Sequence, residues 1–128
     1  MPDESGASRT PPVVFDSAAW NEDLRRASEV AESTAEAART EFEEQGVPLD
    51  QLKACSPEGT DATELPGCVK VYLPAPDGPH GMVFEIVRID DRLRLLFMGF
   101  GQRHPPRDSR QPSVYEIAHR RLHPPSAS

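Results

Sequence analysis

Between Gly67 and Phe100 three β-prone stretches follow one another, CVKVYL, MVFEIVRI and LRLLFMGF, separated by PAPDGPHG and by Asp90, Asp91 and Arg92. This spacing constrains the fold more than any other feature, because runs joined by so few residues pair as hairpins. The alternation in the first run puts Val69, Val71 and Leu73 on one side of a strand and Lys70 and Tyr72 on the other. Leu95 to Phe100 is almost continuously apolar, which predicts a central strand covered on both faces.

Upstream the period changes. Val13, Val14 and Phe15 form a short β-prone run, and Asp16 or Ser17 then caps a helix carrying Trp20, Leu24 and Ala27 toward the core. That stripe leaves Glu22, Asp23, Arg25 and Arg26 in water. Ser33 and Glu36 fit a capping box for a second helix with Ala37, Ala38 and Phe42 inward, ended by Gly46 and Pro48. Residues 47–66, rich in proline, read as a connector.

Downstream, Gly99 and Gly101 release the chain into GQRHPPRDSRQP, a loop gathering Arg103, His104, Arg107 and Arg110. Ser113 and Glu116 then form a capping box for a helix over 114–122. The expected fold is α+β, with an N-terminal strand and helical hairpin packed on a small, mainly antiparallel sheet of about four strands, and a C-terminal helix. The expected organisation is a disordered tail at 1–12, one domain at 13–122 and a disordered tail at 123–128, which carry much of the proline, serine and glycine.

Charge limits the functional classes. The chain of 128 residues carries a formal charge of -7, but residues 1–64 hold 15 acids and 5 bases, whereas residues 65–128 hold 6 acids and 9 bases and all four histidines. A mildly basic half of an acidic protein is compatible with a phosphate-facing surface. No stretch reaches the roughly 20 apolar residues of a membrane span, and the polar N-terminus is unlike a signal peptide, so a cytoplasmic location and no membrane partner are expected. Cys55 and Cys68 pair in an oxidising compartment or stay free thiols in a reducing one, the second being the reading favoured here. Their spacing fits no zinc finger, and neither a metal nor a small-molecule cofactor is expected. Gly99 to Gly101 is neither a dinucleotide fingerprint nor a P-loop, and no nucleophile-elbow motif occurs.

Over residues 13–122 the order strand, helical hairpin, strand, hairpin, basic loop, helix resembles the RelE/ParE toxin superfamily. GCVKVYL looks like its second strand, MVFEI like its third, and FGQRH followed by VYEIAHRRL like its glycine-x-arginine corner and tyrosine-bearing helix. The resemblance implies a RelE-like endoribonuclease that cleaves mRNA, at the ribosome, and is held inactive by a cognate antitoxin protein. It assigns a catalytic role to Lys70 as the sheet lysine, to Arg103 as the corner arginine and to Tyr115 as the tyrosine that stacks on a base. His104 beside Arg103 is the matching acid/base candidate, since an imidazole titrates near pH ~6.5. Arg107, Arg110, Tyr72 and His119 are expected to bind RNA. Tyr72 stands where the family has a second lysine, and the expected sheet arginine falls on Gly81 or Met82. These departures motivate an alternative, a non-catalytic module of the same fold that binds a protein partner, or a relative of the gyrase-inhibiting members.

Overall fold

The computed structural model describes residues 8–55, 65–75 and 78–123. The outer parts of both expected tails and the middle of the 47–66 connector lie outside that range. Element order is α1 (Ser17–Leu24), α2 (Glu29–Gln45), β1 (Lys53–Ala54), β2 (Cys68–Ala75), β3 (Gly78–Ile89), β4 (Arg92–Gln102) and α3 (Val114–Leu122). The four strands form an antiparallel sheet in the order β1-β2-β3-β4. The α+β class with a four-stranded antiparallel sheet and a C-terminal helix is therefore as expected. Among the described residues no helix is long and apolar enough to cross a membrane.

The helical hairpin forms with one cap moved. Asp16 Oδ2 accepts from Ala19 N at 3.1 Å and starts α1. Ser28, not Ser33, starts α2, its Oγ accepting from Ala31 N at 3.1 Å. Ser28 is in the extended conformation that a cap requires, and placing the helix start there buries Ala31 and Ala35 in line with Phe42, so Ser33 and Glu36 fall inside the helix. Gly46 ends α2 at a φ of +80°, and a Cβ there would lie 1.9 Å from the Thr10 carbonyl oxygen, so the position requires glycine. The chain is engaged before Val13: Thr10 N donates to Val47 O, and Arg9 pairs with Glu41 at 2.9 Å. Arg9 and Thr10, placed in the tail by composition, are thus bonded to α2 and the residues just after it.

Helices cover the sheet on both faces. On one, Phe15, Trp20 and Phe42 pack on Phe84, Phe97 and Phe100, with Phe15 and Trp20 meeting edge to face at 5.4 Å. On the other, Val114, Tyr115 and Ala118 of α3 pack on Cys68, Val83 and Met98. The β3–β4 turn places Asp90 and Asp91 at φ of 51° and 62°, the left-handed pair that a tight hairpin needs and that aspartate tolerates.

β4 is covered on both faces as its apolar run predicts, but it is an edge strand, not a central one. Its open side is closed by other means. The Val13–Phe15 run adds a single parallel bridge, with Val14 N donating to Leu95 O and Phe97 N donating to Val14 O, both at 2.9 Å. Phe100 N donates to Asp23 Oδ2 at 2.9 Å, and Arg121 Nη1 donates to Met98 O at 2.9 Å. An apolar edge therefore has no bare row of backbone groups along this stretch.

Candidate functional site

Two polar clusters stand out, one on the sheet face beneath α3 and one at the β4 edge. The first is assembled by register. Lys53 of β1 is the Cα partner of Lys70 on β2, and Tyr72 is the partner of Gly81 on β3, which in turn pairs with Gly101 on β4. Cross-strand partners share a face, so the two lysines are neighbours and Tyr72 lies beside two residues without side chains. That gap receives Arg103: an added Cβ at Gly81 would be 3.3 Å from Arg103 Cγ and 3.2 Å from the Val71 carbonyl oxygen. The Arg103 guanidinium lies over the Tyr72 ring at 3.7 Å from its centre, and Lys53 and Lys70 approach the same ring at 5.1 and 5.2 Å.

Tyr115 completes the arrangement from α3. The capping box at Ser113 and Glu116 forms as read from the sequence and fixes the first turn of α3, which points the tyrosine down onto the sheet. Its hydroxyl accepts from Arg103 Nε at 3.1 Å and from Lys70 Nζ at 3.4 Å, and Lys70 Nζ lies 4.9 Å from the ring centre. Tyr115 is 1% exposed and Lys70 only 2%, whereas Tyr72 is 38% exposed. Lys53 is exposed and Arg103 half-buried. No carboxylate among the described residues forms an ion pair with Lys53 or Arg103. The result is a cationic surface backed by a buried lysine and a buried phenol, with one accessible aromatic ring.

Four of the eight residues singled out in the sequence, Lys70, Tyr72, Arg103 and Tyr115, thus meet at one place. Burial changes two of their roles. Lys70 is not an exposed strand lysine, and the Tyr115 ring is covered, so the accessible stacking surface belongs to Tyr72. His104 follows Arg103 in an exposed position, and Arg110 is exposed with a φ of 60°. Arg107 opens a 3₁₀ turn at Arg107–Ser109, and its side chain lies outside the described residues. His119 sits one turn beyond Tyr115 on α3, its ring 4.7 Å from that of His123. Lys53 was missed by sequence reading because a strand of two residues carries no period, and the lysine opposite it gives no local signal.

The second cluster departs from the solvent-facing reading at one residue: Glu22, Arg25 and Arg26 are exposed as expected, but Asp23 is not. Asp23 is 2% exposed and holds α1, β4 and α3 together. Besides the Phe100 amide it accepts from Arg121 at 2.7 and 2.9 Å and from Arg26 at 3.2 Å. Arg121 also reaches Glu22 at 2.5 Å. Burial works against the charge on Arg121, but the bonds and charges of Asp23 and Glu22 outweigh it and hold the guanidinium above its ordinary pKa. The hydrogen bond and charge of Arg121 in turn hold the Glu22 carboxyl below the usual carboxylate range. A cavity of about 800 Å³ opens along this clasp between Phe15, Glu22, Met98 and Arg121, away from the cationic face. Of its two lining acids, Glu22 is paired with Arg121 and Asp16 caps α1, so it has structural rather than chemical capacity.

His80 is 3% exposed, and its ring stacks on Phe100 at 5.5 Å. Its Nδ1 bonds the Gly78 carbonyl oxygen at 2.9 Å; a carbonyl only accepts, so Nδ1 carries the proton. His80 is thus held in a structural role, within the turn-rich stretch that precedes MVFEIVRI. Comparison with protein-family models, with curated proteins and with solved structures returns no match to this chain.

Proposed function

We propose that the protein is a RelE-like endoribonuclease toxin that takes an RNA strand across the Lys53, Tyr72 and Arg103 surface. The observation that carries this reading is the convergence of Lys70, Tyr72, Arg103 and Tyr115, chosen from the sequence, on one cationic face. Arg103 presents a planar fork suited to two phosphate oxygens, and the Tyr115 hydroxyl fixes its Nε while leaving the terminal nitrogens for a ligand. Lys53 adds a mobile cation on the same side, and Lys70 adds positive potential from behind. Tyr72 supplies the ring on which a base stacks.

In this reading the 2′-hydroxyl attacks the adjacent phosphate, Arg103 and the lysines balance the charge that develops on the phosphorane, and the 5′-oxygen leaves. His104, exposed next to Arg103, moves the proton. Tyr115 acts as a positioning residue. The setting is cytoplasmic, with mRNA at the ribosome as substrate and an antitoxin protein as inhibitor.

The test is RNA-end mapping after induction of the protein, and with purified protein, ribosomes and mRNA. The expected result is cleavage leaving 2′,3′-cyclic ends, lost in Arg103→Ala and strongly reduced in His104→Ala. Intact RNA with wild-type protein in both settings defeats the proposal. A second reading, a non-catalytic binding module of the same fold, is favoured by the burial of Lys70 and Tyr115, which leaves fewer groups to face a scissile phosphate. RNA retained without cleavage, or a stable protein partner without RNA, selects it.

A further inference from the structure

The two cysteines stand one step beyond the β1–β2 ladder. Lys53 opposes Lys70 and Ala54 opposes Val69, so the next step in antiparallel register sets Cys55 against Cys68. Side chains two apart on a strand share a face, which puts both sulfurs on the α3 side with Lys53 and Lys70. Packing agrees: Cys68 belongs to the buried cluster under α3, and Cys55 packs against the same cluster. Directly opposed residues of an antiparallel pair have Cα atoms roughly 4.5–5.5 Å apart, inside the span of a disulfide. Both thiols are free in this structure.

We infer that Cys55 and Cys68 form a native-state oxidation site, an intramolecular cross-strand disulfide made by exchange with a low-molecular-weight disulfide such as oxidised glutathione. The thiolate of Cys55, the less buried of the two, attacks one sulfur of the reagent, releasing the first reduced thiol and leaving a mixed disulfide. Cys68 then attacks the Cys55 sulfur and displaces the second. The two protein thiols lose two protons and two electrons, which appear as the two released thiols. Burial raises the Cys55 thiol to about 11, against a lowering by Lys70, and raises the Cys68 thiol to about 12 with further help from Cys55 and Glu85. Both groups therefore exchange slowly at neutral pH, so the site responds to sustained oxidation. The bond ties β1 to β2 beside Lys53 and Lys70 and covalently closes the segment between the cysteines.

With only two cysteines any intramolecular bond joins this pair, so the test must ask whether the fold favours it. The full chain is equilibrated with defined ratios of oxidised and reduced glutathione, once folded and once in urea, and the disulfide fraction is read by mass and by proteolytic peptides. A closed loop of this size implies an equilibrium constant roughly 100-fold larger for the folded chain, and by linkage a melting temperature raised by on the order of 10 °C. Equal or smaller formation in the folded state overturns the inference, as does a product that stops at the glutathione adduct or links two chains. Cys68→Ala should stop at the adduct on Cys55; if that variant fails to fold, Cys55→Ser, which alters the less buried position, should leave Cys68 without adduct in the folded chain.

Discussion

Breaking the Asp23–Arg121 clasp should be among the most damaging single changes to this fold. The Asp23 side chain is wholly buried and accepts from the Phe100 amide, from both terminal nitrogens of Arg121 and from Arg26, so Asp23→Ala removes four hydrogen bonds at once. It leaves the Phe100 N–H on an apolar edge without a partner, which costs about 1–3 kcal/mol, and strands a mostly buried guanidinium. Loss of one partner of a buried ion pair costs about 3–5 kcal/mol in all, a large part of the 5–15 kcal/mol that holds a domain of this size. Arg121→Ala should cost less, because Asp23 keeps the Phe100 amide and Arg26. The assay is urea denaturation of both single variants and the double variant at constant pH. The double variant should be less destabilised than the sum, with a coupling of about 1–3 kcal/mol. Additive effects, or an Asp23→Ala cost below about 1 kcal/mol, would refute the reasoning. Glu22→Gln is the internal control: Glu22 is half exposed and solvent-screened, so its loss should cost under about 1 kcal/mol.

Tyr115→Phe keeps the buried ring but removes the oxygen shared by Arg103 and Lys70, and should destabilise the fold by about 1–3 kcal/mol while loosening Arg103, as read by thermal melts and by weaker RNA binding. Gly81→Ala pushes a methyl against Arg103 and the Val71 carbonyl oxygen, and should weaken RNA binding at least as much as it lowers stability, in fluorescence-anisotropy titrations compared with melts. Alkylation of Cys55 by iodoacetamide should rise about tenfold per pH unit from neutrality to pH ~10, because a thiol raised to about 11 is mostly protonated over that whole range; a plateau by pH ~8.5 would show an ordinary thiol.

The sequence reading and the structure part company where a residue's environment is built by distant segments. Lys70, Arg103 and Tyr115 were singled out through the family resemblance; strand alternation put Lys70 and Tyr72 on one face, the capping box set the first turn of α3, and the sheet then brings the four side chains together. Asp23 was not legible. Its helix has eight residues, and Glu22, Asp23, Arg25 and Arg26 look like one solvated face until Arg121, 98 residues later, supplies the countercharge. The position of β4 was missed for a related reason. Apolar residues on both faces predict cover from both sides, which α1 and α3 provide, but hydrophobicity carries no information about which hydrogen-bonding edge is paired. That edge is completed by Val14, Asp23 and Arg121, none of which a strand pattern can announce.

These two clusters are mechanically joined, since α3 carries Tyr115 into the cationic face and Arg121 into the clasp. The residues are six apart, about 9 Å along a helix, and point to different sides of it. The first turn is held by the Ser113–Glu116 box, while Arg121 is the chief polar anchor of the last. Removing that anchor should let the C-terminal turn fray before the helix as a whole is lost, and a shorter α3 presses less firmly on Lys70 and Arg103. Arg121→Ala should therefore weaken RNA binding several-fold at temperatures where the protein is still fully folded, although Arg121 lies on the far side of the β4 edge from Tyr72. The effect should vanish in the background of Tyr115→Phe, because the link that transmits it is already broken. Hydrogen exchange on α3 amides separates this from a simple loss of stability: faster exchange confined to residues near 119–122 supports transmission through the helix, and uniform acceleration across the sheet argues against it.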